Sequence, residues 1–252
     1  MPISSRQIRP GVAEVVLDHP PVNALDVAAW FDLADAITQA GRVPDNRAVI
    51  VRAVGRGFCA GVDIKEIQAR GDDALIGANR GCAAAFAAVY DCEVPVICAV
   101  HGFCLGGGVG LAGNADVIVA SEDATFGLPE VDRGALGAAT HLARLVPQHR
   151  ARAMVYMAQP ATAEELYHYG SVLRVVPRDE LVEAAVEVAE VIAAKSPTII
   201  RRAKESLNGI DPVDVKRSYR FEQGFTYELH VSGVADEQRA AFVEKRDADT
   251  SA

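Results

Sequence analysis

The sequence is short of positive charge. Its 252 residues carry 25 Lys and Arg against 34 Asp and Glu, a formal net charge of −9. Sequence-independent duplex binding needs a basic face for phosphates, so no nucleic-acid partner is expected. An anionic ligand held by a few local cations and backbone N–H groups remains compatible. The five cysteines, at 59, 82, 92, 98 and 104, are odd in number and include no Cys-x-x-Cys pair. That argues against a disulfide framework and against a zinc site. Four of the five sit among apolar neighbours and read as small core hydrophobes. Glycine and proline, at 21 and 12, show no collagen-like or linker-like excess. The opening Met-Pro-Ile-Ser-Ser-Arg has no basic stretch leading into an apolar run. No signal peptide is read, and a reducing cytoplasm is expected.

What is present is core-forming material. Hydrophobic residues make up 50% and charged residues 23%, which excludes bulk disorder. The length fits one large domain, or one domain with an appendage. Val94 to Ala115 carries no Asp, Glu, Lys or Arg over 22 residues, long enough to span a bilayer. It also holds Pro95, His101, Asn114 and six glycines. A buried strand, a tight turn and a buried helix explain it better than a membrane span.

The pattern along the chain is strand, helix, strand, helix, strand, with glycine-rich loops after the strands. Val12–Leu17, Arg47–Val54, Val94–Val100 and Ala115–Ala120 read as strands, with a short one at Ala124–Phe126. Asp26 caps a helix to about Ala40, with Trp30, Leu33, Ala34 and Ile37 on one face. Asp73–Tyr90 is a second helix, and Gly106–Leu111 begins a third. Residues 180–194, 197–207 and 212–246 are helical, the last with breaks at Gly224 and Gly233. This is an α/β chain with buried, largely parallel strands. Its helical C-terminal part packs on its own core or on a neighbouring subunit. Arg201, Arg202 and Lys204 read as a solvated basic helix face.

Three segments can carry chemistry. Gly106-Gly107-Gly108 follows a core strand at a helix start, where bare backbone and unsatisfied N–H groups can hold a phosphate or an oxyanion. Close helix–strand packing explains the triplet equally well. It is neither a phosphate-binding P-loop nor a dinucleotide turn. Gly55-Arg56-Gly57-Phe58-Cys59-Ala60-Gly61-Val62-Asp63-Ile64-Lys65-Glu66 follows another core strand. Two such loops can each give one N–H to a single carbonyl oxygen, the pair an enolate needs. Glu130, behind Pro129 among apolar residues, is a carboxyl that desolvation can tune toward neutral pH; a solvated acid or a partner for Arg133 is the plain alternative. His101, at a strand end, reads first as a core or turn residue. No Ser-His-Asp order stands out among the six histidines.

Together these segments resemble the crotonase (enoyl-CoA hydratase/isomerase) superfamily over nearly the whole chain. The resemblance rests on Pro21-Val22-Asn23-Ala24-Leu25, Phe58 to Glu66, and His101-Gly102-Phe103-Cys104-Leu105-Gly106-Gly107-Gly108. It continues through Asp116-Val117-Ile118-Val119-Ala120, Thr125-Phe126-Gly127-Leu128-Pro129-Glu130 and Phe242-Val243-Glu244-Lys245-Arg246. It implies a crotonase-like ββα superhelix, with residues 1–195 as the acyl-CoA-binding core and 196–252 as a helical oligomerisation region. A homotrimer or dimer of trimers, and no cofactor beyond the substrate's coenzyme A, are also implied. By motif match the oxyanion hole is formed by the N–H groups of Val62 and Gly107. Coenzyme A runs near Ala24, Ala60, Asp63 and Ile64, beside Gly106 and Gly108, and Phe242 and Lys245 close over its nucleotide end.

One departure bears on the reaction. Hydratases of this family carry a glutamate two residues after the glycine triplet; here that position is Gly110, and only the second acid, Glu130, remains. Gly110 is expected to leave room for a bulkier acyl group. Gly127 to His141, Trp30 to Ala36 and Glu222-Gln223-Gly224-Phe225 look like actinobacterial ring-opening hydrolases of steroid catabolism. The expected reaction is hydrolytic ring opening of a cyclic β-ketoacyl-CoA by Glu130, with Asp63 or Asp132 as candidate helping acids. Isomerase and hydratase readings, and a non-catalytic CoA-binding role, are the alternatives.

Overall fold

The computed structural model describes residues 2–248. Its main sheet grows from the β-branched runs. In chain order, β1 (Ile3–Arg9) and β2 (Val12–Leu17) form an antiparallel hairpin. The short β3 (Ala24–Leu25) leads to α1 (Val27–Arg42), whose first turn Asp26 caps by accepting from Ala29 N. Next come β4 (Ala48–Ala53), β5 (Gly61–Val62), α2 (Ile64–Arg70) and α3 (Asp72–Tyr90). The glycine-rich centre gives β6 (Val96–Val100), β7 (Phe103–Leu105), α4 (Gly107–Asn114), β8 (Val117–Ser121) and β9 (Thr125–Gly127). A single 3₁₀ turn, Glu130–Arg133, precedes α5 (Ala139–Leu142) and α6 (Gln148–Met157). Then follow β10 (Ala161–Thr162), α7 (Ala163–His168), β11 (Arg174–Val176), α8 (Leu181–Ala193), α9 (Pro197–Gly209), α10 (Val215–Val231) and α11 (Val234–Glu244).

The six-stranded sheet runs β1-β2-β4-β6-β8-β11, parallel throughout except at β1. Every residue of β2 and β6 is buried, because helices cover both faces. Side chains alternate across the sheet. Val49, Val51, Cys98 and Val100 face α1 and α3 in the larger core. Ala48, Ile50, Ile97 and Ala99 face α8 in a second one. The loops after β4 and β6 emerge at the same end of the sheet, and a small β10-β9-β7 sheet lies beyond it. This is where open parallel sheets hold their ligands.

The charge-free run divides into strand, turn and helix as expected, and no helix among the described residues is long and apolar enough to cross a membrane. All five cysteines are buried and unpaired. Three expectations need correction. Gly224 does not break the C-terminal helix: α10 runs through it, and only Gly233, at a φ of 80°, separates α10 from α11. The strand β1 went unforeseen, because four of its seven side chains in a row are exposed and its hold is backbone pairing with β2.

The third correction concerns the basic group on α9, which is not a solvated face. Lys204 is 3% exposed and donates to Asp116 at 2.5 Å and to the Val89 carbonyl at 3.2 Å. Arg201 donates to the carbonyls of Gly41, Val43 and Asn46 and pairs with Glu93. Only Arg202 lies free of the core, paired with Glu205 on the surface. The reason is tertiary: the ends of α1 and α3 and the loop after α1 leave carbonyls without intrahelical donors, and α9, distant in the chain, supplies cations to them.

Candidate active site

Two loops are tied together before any functional side chain enters. Asn23, held at a φ of 53°, donates Nδ2 to the carbonyls of Val54 and Gly57, both at 2.9 Å. Its Oδ1 accepts from His19 N at 2.8 Å. Phe58 N reaches the His101 and Phe103 carbonyls, and Leu105 N reaches the Cys59 carbonyl at 2.8 Å. His101 serves the same junction, its Nε2 lying 3.1 Å from the Gly55 carbonyl. The loop after β4 and the turn after β6 are thus one assembly.

Each glycine of the triplet clears a different neighbour. A Cβ on Gly108 would stand 2.7 Å from the Cys59 carbonyl oxygen, and one on Gly107 2.7 Å from the Trp30 ring. Both are packing needs. A Cβ on Gly106 would stand 2.6 Å from Glu130 Oε1. Gly106 adopts a φ of 54°, which favours glycine. The triplet therefore answers to helix packing at two positions and to the carboxyl at the third.

Two backbone amides border the same cavity as that carboxyl. Gly107 opens α4, so its N–H is one of the helix's unsatisfied donors. Val62 lies opposite Leu25 in the parallel β3–β5 pair, and the Leu25 carbonyl accepts from Asp63 N at 2.9 Å. In such a pair the strand bonds through alternate residues, so the Val62 N–H faces away from β3. A Cβ on Gly61, next in the chain to Val62, would lie 3.2 Å from Gly107 N. Backbone alone separates the two bends.

Glu130 starts the 3₁₀ turn behind Pro129. The residue is half-buried, but its Oε2 is enclosed and has no hydrogen-bond partner. Burial pushes its pKa up to about 8. Its own backbone N–H and Arg133 oppose the rise, while the carboxylate of Glu222 adds to it. Such a carboxyl exchanges a proton near neutral pH.

These groups share a cavity of about 270 Å³. The two loops form one wall. From α3, Leu75, Ala78, Asn79, Cys82 and Phe86 form another, at helical spacing. Glu130, Arg133, residues 135–138, Tyr219, Thr226 and Phe242 complete it. The Arg133 guanidinium lies 3.8 Å from the centre of the Phe242 ring, a cation–π contact that fixes both. Arg133 and Arg239 are the cations lining the cavity. Among the described residues, no three of His, Cys, Asp or Glu cluster as metal ligands.

Of the residues singled out from sequence, Ala60, Val62, Ile64, Gly106, Gly107, Glu130 and Phe242 line this cavity. Ala24, Asp63, Gly108, Gly110, Asp132 and Lys245 do not. Asp63 caps α2, accepting from Lys65 N at 2.9 Å. Asp132 is exposed. Lys245 ends α11 at a φ of 56°. Gly110 leaves no room for an acyl group: the Phe86 ring occupies the place of its missing side chain. An apolar ring stands at the position where the resemblance places the first acid of hydratases.

Sequence reasoning passed over Asn79 and Tyr219 in this wall, and read Glu222 beside it only as part of a motif, with no role of its own. Glu222 accepts from Ala139 N at 2.9 Å, from Thr140 N at 2.5 Å and from the Thr140 hydroxyl. Burial raises its pKa, and those three donors oppose the rise. A signal was available: Tyr219, Glu222, Gln223 and Thr226 recur at helical spacing, a polar stripe on a buried face.

Known proteins are similar to this chain in sequence and fold. The family model described as enoyl-CoA hydratase/isomerase matches residues 7–251. A "(7aS)-7a-methyl-1,5-dioxo-2,3,5,6,7,7a-hexahydro-1H-indene-carboxyl-CoA hydrolase" from Rhodococcus jostii is 64% identical over 245 residues, covering 97% of this chain and 95% of its own. The protein of that same name from Mycobacterium tuberculosis is 65% identical over 246 residues, covering 97% and 100%. A crystal structure of carnitinyl-CoA hydratase from Mycobacterium avium superposes with a TM-score of 0.87 at 31% identity, covering 99% of this chain and 98% of that one. A family match over nearly the full length, on a sheet and helix order that builds the same two loops, means that this chain belongs to the enoyl-CoA hydratase/isomerase (crotonase) family.

Proposed function

We propose that this chain hydrolyses a cyclic β-ketoacyl-CoA by opening its ring; its 64–65% identical relatives are named as hydrolases of a methyl-dioxo-hexahydroindene-carboxyl-CoA. The observation that carries the reading is one carboxyl, Glu130, against the bare backbone of Gly106 beside the Gly61–Gly107 junction, with Phe86 in place of a second acid. Water bonds to the ring ketone carbon and gives its proton to the Glu130 carboxylate. The ketone oxygen takes the π pair. As that carbonyl re-forms, the bond to the α-carbon breaks and its electrons pass into the thioester. The Val62 and Gly107 N–H groups hold the resulting enolate oxygen. Removal of one such donor typically costs on the order of 3 kcal/mol in the barrier. Glu130 then protonates the α-carbon, and the new carboxylic acid ionises.

Ala60 and Ile64 form the wall we assign to the pantetheine arm, and Arg133 with Phe242 the part nearer the nucleotide. The scheme requires no cofactor beyond the substrate's coenzyme A. Exposed Phe221, Phe225, Ile199 and Leu207 on α9 and α10 fit residues 196–252 as an oligomerisation region, in a trimer or dimer of trimers. The unpaired cysteines fit a reducing cytoplasm.

The test is proton release with product NMR on a cyclic β-ketoacyl-CoA and on a linear enoyl-CoA. Ring opening creates a carboxylate and releases one proton near neutral pH; hydration and isomerisation release none. Turnover confined to the linear substrate overturns the hydrolase reading.

A further inference from the structure

Among the described residues, eight buried side-chain nitrogen or oxygen atoms lack a hydrogen-bond partner. Two belong to residues lining the cavity: Glu130 Oε2 and Asn79 Nδ2. The first is the acid of the scheme above. The second is a donor for which that scheme has no use.

Asn79 is the one amide on the α3 stripe facing the cavity, between Leu75, Ala78, Cys82 and Phe86. Its side-chain oxygen is turned toward Gln223. Gln223 Nε2 donates to the Asn79 carbonyl at 2.7 Å and to its Oδ1 at 3.4 Å. Gln223 is 1% exposed, and its Oε1 accepts from Arg220 at 2.5 Å. With its oxygen turned toward Gln223, the side-chain amide keeps Nδ2 as the group with no protein acceptor. Leaving a buried N–H unmade is costly, and native structures rarely do so without reason. The cavity that Asn79 lines is where an acceptor for it could come from a ligand.

The proposed hydrolysis places negative charge on two oxygens in turn. The ketone oxygen carries it while water is bound to the ring carbon, and the thioester oxygen carries it after the carbon–carbon bond has broken. The Val62 and Gly107 amides serve the second. We propose that Asn79 Nδ2 serves the first, donating to the ring ketone oxygen and stabilising the alkoxide that forms when water adds. This assignment rests on the hydrolase reading. It makes Asn79 a catalytic residue and Gln223 a positioning residue acting through it. It also narrows the substrate class to acyl groups with a carbonyl within reach of α3, which linear enoyl-CoA esters lack.

Two reactions separate these roles. Ring opening of a bicyclic β-ketoacyl-CoA needs both oxyanion sites. Exchange of the α-hydrogen with deuterium oxide, in a saturated acyl-CoA of similar size without the ring ketone, needs only Glu130 and the two amides. Asn79→Ala is expected to lower kcat for ring opening by roughly 100-fold or more while exchange stays within about twofold. Asn79→Asp keeps the shape, and its carboxylate cannot donate; its ring opening is expected to fall further as pH rises through the titration of the new acid. Gln223→Leu is expected to reduce ring opening less than Asn79→Ala and to spare exchange. Unchanged ring opening in Asn79→Ala overturns the assignment, as does an equal loss in both reactions. A wild-type enzyme that exchanges the α-hydrogen but opens no ring overturns the hydrolase reading itself, whatever stands at position 79.

Discussion

Phe86 occupies the volume that any side chain at position 110 would need, its ring lying well inside van der Waals distance of a Cβ built there. The absence of an acid at Gly110 is therefore a packed arrangement and not an open space. Phe86 also stacks edge-on against Trp30, with ring centres 5.8 Å apart, and Trp30 packs under Gly107. The apolar wall and the Gly106–Gly107 bend are built on the same two rings.

Restoring the family glutamate alone is thus expected to fail. Gly110→Glu forces Phe86 to move and buries a charge, so it is expected to destabilise by more than the ~1–3 kcal/mol of a simple overpacking. Phe86→Ala alone is expected to cost about 3 kcal/mol or more. The double variant is expected to cost clearly less than the sum, because each change relieves the other. Denaturant unfolding of the four proteins checks this. Strict additivity would mean that the two positions do not compete for space.

The Glu130 carboxyl gives activity and stability opposite pH dependences. In the proposed scheme it takes water's proton as an ionised base, so kcat/KM is expected to rise with pH and level off above about 8. Its folded pKa is raised, so the folded state binds its proton more tightly than the unfolded chain does. The stability it contributes is full below the usual carboxyl range, near 4.5, and is lost as pH climbs to about 8. Glu130→Gln is expected to lose at least about 100-fold in turnover. It is also expected to gain in Tm relative to wild type between pH 4.5 and 8. Paired melting curves at the two pH values test the second point independently of the assay.

The α9 cations separate a pair with one buried partner, Lys204, from a pair wholly on the surface. Lys204→Ala leaves Asp116 with only its 2.7 Å bond from Val96 N and strips a donor from the Val89 carbonyl. A loss clearly above the ~0.2–1 kcal/mol of an exposed pair is expected, because Lys204 itself is buried. Arg202→Ala, two residues earlier and exposed, is expected to stay within about 0.5 kcal/mol. Equal effects in chemical denaturation would restore the solvated-face reading.

Much of the frame was legible because its causes are local. Val12–Leu17 and Val96–Val100 announce buried strands by β-branched content, and Asp26 marks where α1 begins. The two loops and Glu130 were legible as motifs. What stayed hidden depends on pairs far apart in the chain. Gln223 and Asn79 are separated by 144 positions, and Lys204 and Asp116 by 88. A glycine at 110 shows that a side chain is missing, not that Phe86 from α3 fills its place. Asp63 and Asp132 were plausible acids by proximity in sequence, but a helix cap and a solvent-facing turn took them out of the cavity.

Glu222 is expected to act on the reaction through charge alone. It shares an apolar recess with Glu130, bounded by Leu128, Val155 and Phe225, and its charge raises the Glu130 pKa. Its three donors, from Ala139 and Thr140, all favour the carboxylate. Glu222→Gln keeps an oxygen for the Ala139 and Thr140 amides and removes the charge. The Glu130 carboxyl should then ionise at lower pH, so the rise of kcat/KM should move to lower pH while its plateau stays within a few-fold. Glu222→Leu also loses the acceptor and frees the start of α5, so it should lower Tm as well as shift the profile. An unshifted profile in Glu222→Gln would confine Glu222 to holding α5, and the elevated Glu130 pKa would then rest on burial alone.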